Sequence, residues 1–307
     1  MMGILQGIVC ANITPFKENK EIDYVSVKKL ARYLADSGID AVYPLGTNGE
    51  GLALTIEERK KIAEIMVEEI AGKIPVAIQC GTQTLEDTID LVLHAKEIKA
   101  DAAGVVTPFF FHQSDRALEE YYGAVFEAAG DFPVYVYNIP TNTNNDISAK
   151  LIKNMSEKYD NLAGVKYSYP DLIRLSEYIS AKEPKLDVLI GCDRLIYPAY
   201  KLGAVGTVSG PAAVFPELFA RLWKLAVQGE DEKALELQYK LQKNSSAFAE
   251  YQEIPMIKQY LKSIGVIEED TVRIPFNSIS QAEKIAIAKI IAEIKSGNEV
   301  LSYGTKN

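Results

Sequence analysis

Apolar residues gather in eight short runs along the chain, and between those runs they recur at three- and four-residue spacing. The runs are GIVCANITPF (7–16), DAVYPLG (40–46), PVAIQCG (75–81), AAGVVTPFFF (102–111), PVYVYNIP (133–140), LAGVKYS (162–168), DVLIGCD (187–193) and VGTVSGP (205–211). Their interiors are nearly continuously apolar, the pattern of strands buried on both faces of a parallel sheet. The intervening segments read as amphipathic helices. VSVKKLARYLADSG ends at Gly38, and TIEERKKIAEIMVEEIAG opens on a capping box, Thr55 with Glu58, and ends at Gly72. Each strand with its helix is one βα unit, and eight such units predict a (β/α)8 barrel over residues 1–228. A six-stranded open sheet is the alternative, and eight strand runs argue against it.

After Pro211 the strand pattern stops. AVFPELFARLWKLAVQG, DEKALELQYKLQKNSSAFAEY, PMIKQYLKSIG and SQAEKIAIAKIIAEIKSG all carry helical spacing. The first is expected to be the eighth barrel helix, and the rest to form a helical extension over 229–307.

Charge and composition narrow the function more than the fold. The net charge is -9, from 33 basic and 42 acidic side chains with no basic cluster, so neither nucleic acid nor an anionic membrane is expected as a partner. No apolar run reaches the roughly 20 residues of a membrane span, and the first residues lack a secretory pattern. Cys10, Cys80 and Cys192 are odd in number, widely spaced and set in apolar runs, which reads as reduced core cysteines of a cytoplasmic protein. With only two histidines, His94 and His112, a Ser-His-Asp hydrolase or a histidine-rich metal site is not expected. His94 sits within a helical stretch and reads as structural; His112 is left unassigned.

The residues with chemistry fall at the carboxyl ends of the strand runs, where a barrel of this type builds its active site. They are Gly46 to Glu50 after the second run, Thr107 to Phe111 after the fourth and Tyr137 to Pro140 after the fifth. Lys166 to Ser168, Gly191 to Arg194 and Val208 to Gly210 follow. Lys166 is the unusual member, because an ammonium within an apolar strand costs several kcal/mol unless it is paired, neutralised or used. One reading has its stem buried and its head snorkelling to water or an acid. The other has it face the barrel mouth, lose its proton through desolvation and attack a carbonyl carbon to form a Schiff base. Tyr137, one strand away, is placed to shuttle protons for such a reaction. The glycine-rich turn GTNGEG fits a carboxylate cradle, with backbone N–H groups and the Thr47 and Asn48 side chains as donors. It lacks the spacing of the common phosphate-binding loops.

GTNGE, TPFF, YNIP, GVKYS and GCD, in this order and at these separations, resemble the dihydrodipicolinate synthase/N-acetylneuraminate lyase family, and the resemblance covers residues 5 to 295. It implies a class I aldolase on a (β/α)8 barrel with C-terminal helices. It further implies a homotetramer built as a dimer of dimers, with pyruvate bound through a lysine and no cofactor or metal. By motif position Lys166 resembles the Schiff-base lysine, Tyr137 the catalytic tyrosine and Thr47 the hydroxyl of a proton relay. Thr47, Asn48 and Gly49 lie in the turn that holds the pyruvate carboxylate. Val208 and Ser209 lie on strand eight near the imine, and Gly191 and Asp193 on the substrate side of strand seven.

Several positions depart from the family pattern. Asn48 stands where the second Thr of GTTGE or GSTGE is usual, and its amide still donates. Phe110 stands where relatives carry a relay tyrosine shared across subunits, and a phenyl ring passes no proton. Asn142 replaces the arginine that receives an aldehyde carboxylate in the synthase branch, which is not a conservative change. Arg194 follows Asp193 where sialic-acid lyases carry an acid; it suits a substrate with an anionic far end, or it pairs with an acid on the next helix. These features lead to an aldolase that joins or cleaves pyruvate and an aldehyde, as part of a 2-keto-3-deoxy sugar acid or an N-acylneuraminate. Dihydrodipicolinate synthesis from aspartate semialdehyde is the alternative. A keto-acid-binding homologue without turnover is a third.

Overall fold

The computed structural model describes residues 3–181, 186–248 and 253–303. Eight parallel strands, β1 (Gly7–Cys10), β2 (Ala41–Val42), β3 (Ala77–Gln79), β4 (Ala102–Val106), β5 (Val134–Asn138), β6 (Leu162–Tyr167), β7 (Asp187–Ile190) and β8 (Gly206–Ser209), alternate with helices. They form one sheet in the order β2-β1-β8-β7-β6-β5-β4-β3. A bridge between Val42 and Val76 brings its two edges together. The fold is the (β/α)8 barrel expected, with helices after it at the C-terminal end.

Alternation along each strand divides the buried residues into two sets. Val9, Ala41, Tyr43, Ala77, Ala102, Tyr135, Tyr137, Leu189 and Val208 fill the barrel interior. Cys10, Val42, Ile78, Val105, Val136, Val165, Tyr167 and Ile190 face the surrounding helices. Both faces are therefore apolar, which is why the runs in the sequence are unbroken. Helices begin on side-chain caps at Asp23, Thr55, Thr84, Ser114, Ser148 and Asp171, each accepting hydrogen bonds from first-turn N–H groups. The Thr55–Glu58 capping box forms as expected.

The strands are shorter than the apolar runs. β1 ends at Cys10 although the run continues to Phe16, and β4 ends at Val106 although its run continues to Phe111. Residues 11–16 are buried beyond the end of the barrel strand: Phe16 bridges to Ile22 and lies beneath the Lys258 ammonium and the Arg273 guanidinium. Pro108 has no N–H to continue the ladder beyond β4.

Helices Asp231–Phe248, Glu253–Ser263 and Gln281–Tyr303 follow the last barrel helix, Pro216–Val227. Residues 249–251, the tail of the helix expected from DEKALELQYKLQKNSSAFAEY, lie outside the described residues. Helix Glu253–Ser263 buries Ile254, Met256, Ile257, Tyr260 and Leu261, together with one charge, Lys258. Lys258 Nζ donates to Glu50 Oε1 and, at 2.9 Å, to the Thr271 carbonyl; both side chains of the ion pair are fully inaccessible to solvent. The pair ties the extension to the turn GTNGE. Removing one partner leaves a buried, uncompensated charge, so Lys258→Met is expected to lose about 3–5 kcal/mol of unfolding free energy. Urea denaturation measures it, and a loss below about 1 kcal/mol contradicts the structural role.

Candidate active site

Strand alternation sends Lys166 inward from β6, between the outward-facing Val165 and Tyr167. The register places Lys166 beside Tyr137 of β5 and Leu189 of β7. Its amine stands 3.8 Å from the centre of the Tyr137 ring and 4.3 Å from that of Tyr43. The residue is only 4% exposed, and among the described residues no carboxylate pairs with it. Burial alone lowers its pKa from 10.5 to about 7. The amine is thus available as a nucleophile at neutral pH, where an ordinary lysine is almost wholly protonated.

Tyr137 is also buried, and its hydroxyl lies 3.2 Å from Thr47 Oγ1. Burial raises the phenol pKa, while hydrogen bonds from Thr47 and Ser168 pull the other way. The Tyr137 hydroxyl therefore rests protonated, in contact with two hydroxyls able to relay a proton. A phenol held in this state can give a proton to a leaving hydroxide and then, as a strong base, take one back.

The turn after β2 brings Thr47 there through an unusual backbone. Leu45 and Glu50 have left-handed φ angles of 65° and 53°, and a side chain at Gly51 would overlap the Leu45 carbonyl. Within the turn, Glu50 N–H donates to Thr47 and Gly51 N–H to Gly46. The N–H groups of Thr47 and Asn48 have no backbone acceptor among the described residues. Buried Glu50, held by Lys258, is the anchor of this turn.

Lys166, Tyr137, Thr47, Asn48, Gly191, Asp193, Arg194, Val208 and Ser209 surround one cavity of about 370 Å3 at the carboxyl ends of the strands. Asp193 accepts from Ser209 Oγ at 3.0 Å, and burial together with the nearby Glu253 carboxylate pushes it up to about 7. Arg194 is exposed at the rim, and no described acid lies in ion-pair reach of it. A side chain at Gly210 would collide with the Asn48 amide, so the end of β8 is pressed against the turn.

Three expected positions lie elsewhere. Gly49 packs inside its turn, its carbonyl accepting the Thr14 hydroxyl at 2.6 Å. Asn142, in helix Pro140–Thr143, faces a second cavity of about 330 Å3 on the other side of Tyr137 and Thr47, shared with Gln79, Phe109 and Phe276. Phe110 is 77% exposed and stacks edge-on with Phe111 outside both cavities. Cys192 is a correction: it is half-buried and lines the first cavity, whereas Cys10 and Cys80 are buried in the core.

Sequence reasoning missed two neighbours of the amine and its cavity, Tyr43 and Glu253. Tyr43 was findable from alternation, being two residues beyond the inward Ala41, while Ser168, named with Lys166 at the end of its run, lines the cavity. Glu253 carries no such signal, because it arrives from the extension and reaches the cavity through a 2.9 Å hydrogen bond from Asn48 Nδ2. No group of His, Cys, Asp or Glu among the described residues is arranged to hold a metal ion. Nor is any described helix long and apolar enough to cross a membrane.

Comparison with known proteins agrees with this geometry. The model of the dihydrodipicolinate synthetase family matches residues 4–294. The chain is 32% identical over 292 residues to 4-hydroxy-tetrahydrodipicolinate synthase of Methanocaldococcus jannaschii, covering 95% of this chain and 99% of that protein. The crystal structure of dihydrodipicolinate synthase from Aquifex aeolicus superposes with a TM-score of 0.89 at 31% identity, covering 95% of this chain and 98% of that one. A protein of the dihydrodipicolinic acid synthase family from Escherichia coli K12, crystallised with pyruvate, superposes equally well, at 0.89, with 25% identity and coverage of 95% and 99%. With a barrel of eight βα units, a cavity at its mouth and a match over nearly its whole length, the chain belongs to the dihydrodipicolinate synthetase family and is a carbon–carbon lyase of the class I, lysine Schiff-base kind.

Proposed function

We propose that the chain joins pyruvate to an aldehyde, or cleaves the product, through an imine on Lys166. The observation that carries this is the buried amine, with a pKa of about 7, standing 3.8 Å from the centre of the Tyr137 ring in an open cavity. In the cleavage direction the neutral amine attacks C2 of a 2-keto acid. Tyr137 gives its proton to the departing hydroxide, and a protonated imine forms. The resulting phenolate takes the C4 hydroxyl proton, with Thr47 and Ser168 supporting the relay. The C3–C4 bond breaks, and its electron pair moves into the imine to give an enamine and a free aldehyde. Protonation at C3 and hydrolysis then release pyruvate and restore the amine. Thr47 and Asn48 hold the pyruvate carboxylate. Gly191, Asp193, Val208 and Ser209 line the space for the other half.

For that other half the site favours a 2-keto-3-deoxy sugar acid or an N-acylneuraminate. Asp193 offers an acceptor for hydroxyls, exposed Arg194 suits an anionic far end, and position 142 holds an amide that faces the other cavity. The second reading, 4-hydroxy-tetrahydrodipicolinate synthase, has the stronger support from comparison, since relatives of that name match the chain end to end. Against it stand Asn142 and Phe110. A homotetramer in the cytoplasm belongs to the same proposal, supported by the family resemblance and the unpaired cysteines.

Pyruvate consumption measured with a panel of aldehydes, and pyruvate release from 2-keto-3-deoxy acids, separates the readings. The expected substrate is hydroxylated; turnover confined to aspartate semialdehyde establishes the synthase, and no turnover with any partner establishes a binder. Tyr137→Phe is expected to lower kcat by about 10²–10⁴-fold while pyruvate still binds; full activity in that variant contradicts the relay. The sign of the pH dependence follows from Lys166. Below about 7 it is an ammonium and cannot attack, so the rate of reductive trapping of pyruvate by cyanoborohydride rises through pH 7 and levels off above it. A rate still climbing at pH 10 would mean an ordinary lysine.

A further inference from the structure

Glu253 opens helix Glu253–Ser263 of the extension, yet it lines the cavity that holds Lys166. Its Oε1 accepts from Asn48, the neighbour of Thr47, so the carboxylate is steered over the barrel mouth. Asp193 belongs to the same cavity, with one carboxylate oxygen on Ser209. Its main-chain carbonyl accepts from Gln238 Nε2 at 2.9 Å, and Gln238 Oε1 accepts the Tyr197 N–H at 2.8 Å. Both acids are thus fixed by residues of the helical extension or by groups contacting it. Each keeps one oxygen without a hydrogen-bond partner among the described residues. Burial, and after it the nearby Glu253 carboxylate, raise the Asp193 pKa to about 7.

We propose that Glu253 is a specificity-determining residue for the aldehyde half, acting with Asp193 as a pair of acceptors for a neutral, hydroxylated carbon chain. The assignment rests on Lys166 being the imine-forming amine. Three observations converge on it. The two free carboxylate oxygens supply strong acceptors for substrate hydroxyls. Repulsion from Glu253 already raises the Asp193 pKa, and a third carboxylate on that side meets the same repulsion, so an aldehyde that carries one there is disfavoured. The cation at the cavity, Arg194, sits exposed at its rim, where it meets the far end of a chain and leaves the middle to the acids. Selectivity on this account is exerted from outside the barrel, by a helix that the buried Lys258–Glu50 pair holds in place.

The test is steady-state condensation of pyruvate with D-glyceraldehyde, D-erythrose and L-aspartate semialdehyde, using the unmodified enzyme and Glu253→Gln. Glutamine keeps the size and the carbonyl oxygen that receives the Asn48 amide, and removes the charge. The expected result is a rise of about tenfold in KM for the hydroxylated aldehydes, the scale of one charge-assisted hydrogen bond. The pyruvate KM is expected to move by less than about twofold, and the kcat/KM ratio to swing toward aspartate semialdehyde. An unchanged KM for the hydroxylated aldehydes overturns the proposal. So does an equal rise in the KM values of pyruvate and acceptor, which would mean that Glu253 works only through Asn48. Reductive trapping of pyruvate on the unmodified enzyme separates the two levels. If the adduct forms and acceptor selectivity does not move, this assignment alone falls; if no adduct forms, the Lys166 reading falls and takes it along.

Discussion

An amine enclosed at the top of a barrel interior, over two phenol rings and without a counter-charge among the described residues, sets the terms for the rest of the site. Holding it as an ammonium there is expensive, and the drop from 10.5 to about 7 corresponds to roughly 5 kcal/mol against the charged form. The rings of Tyr43 and Tyr137 soften that cost through their faces but supply no proton acceptor aimed at it. Elsewhere in the molecule a buried ammonium is treated differently. Lys258 is equally inaccessible and has Glu50 and the Thr271 carbonyl as partners, so it serves as a structural charge. The contrast between these two lysines, one paired and one not, separates a fastening from a nucleophile more clearly than the burial of either.

The barrel and the helical extension do different work around that amine. The strands supply the fixed chemistry, since register puts Tyr137 beside Lys166 and alternation turns both inward. Rigid elements of this kind hold reacting groups to the tolerances catalysis needs. The extension makes several contacts at the mouth: the Lys258–Glu50 pair stiffens the turn that carries Thr47, Glu253 reaches the Asn48 amide, and Gln238 holds the Asp193 carbonyl. A change in the extension is thus transmitted to the turn that carries Thr47 and Asn48 without touching the strands. Under the proposed function, pyruvate capture rests on the barrel and acceptor choice on the extension.

Much of this was legible in the residues, and the reasons are specific. Strands buried on both faces leave unbroken apolar runs, so eight of them announced the barrel. A lysine inside one such run violates the pattern at one point and marks the site. The lengths of the runs misled, because residues such as Ile13 and Phe16 are buried outside the barrel sheet, Phe16 beneath Lys258 and Arg273 of the extension. Motif order located Asn142 and Phe110 along the chain but not on which side of Tyr137 they face, which depends on how the short helix Pro140–Thr143 turns. Glu253 was invisible for a deeper reason. Its place depends on a contact between residues 208 positions apart, Lys258 and Glu50, that no local pattern encodes.

The central claim is that Lys166 forms a covalent imine with pyruvate. Intact-mass measurement after incubation with pyruvate and borohydride tests it most directly, with peptide mapping and a Lys166→Met control. The account predicts one reduced pyruvyl group per chain, mapped to Lys166 and lost in the control. An unmodified protein that gains no mass, or a Lys166→Met variant that still does, would contradict it.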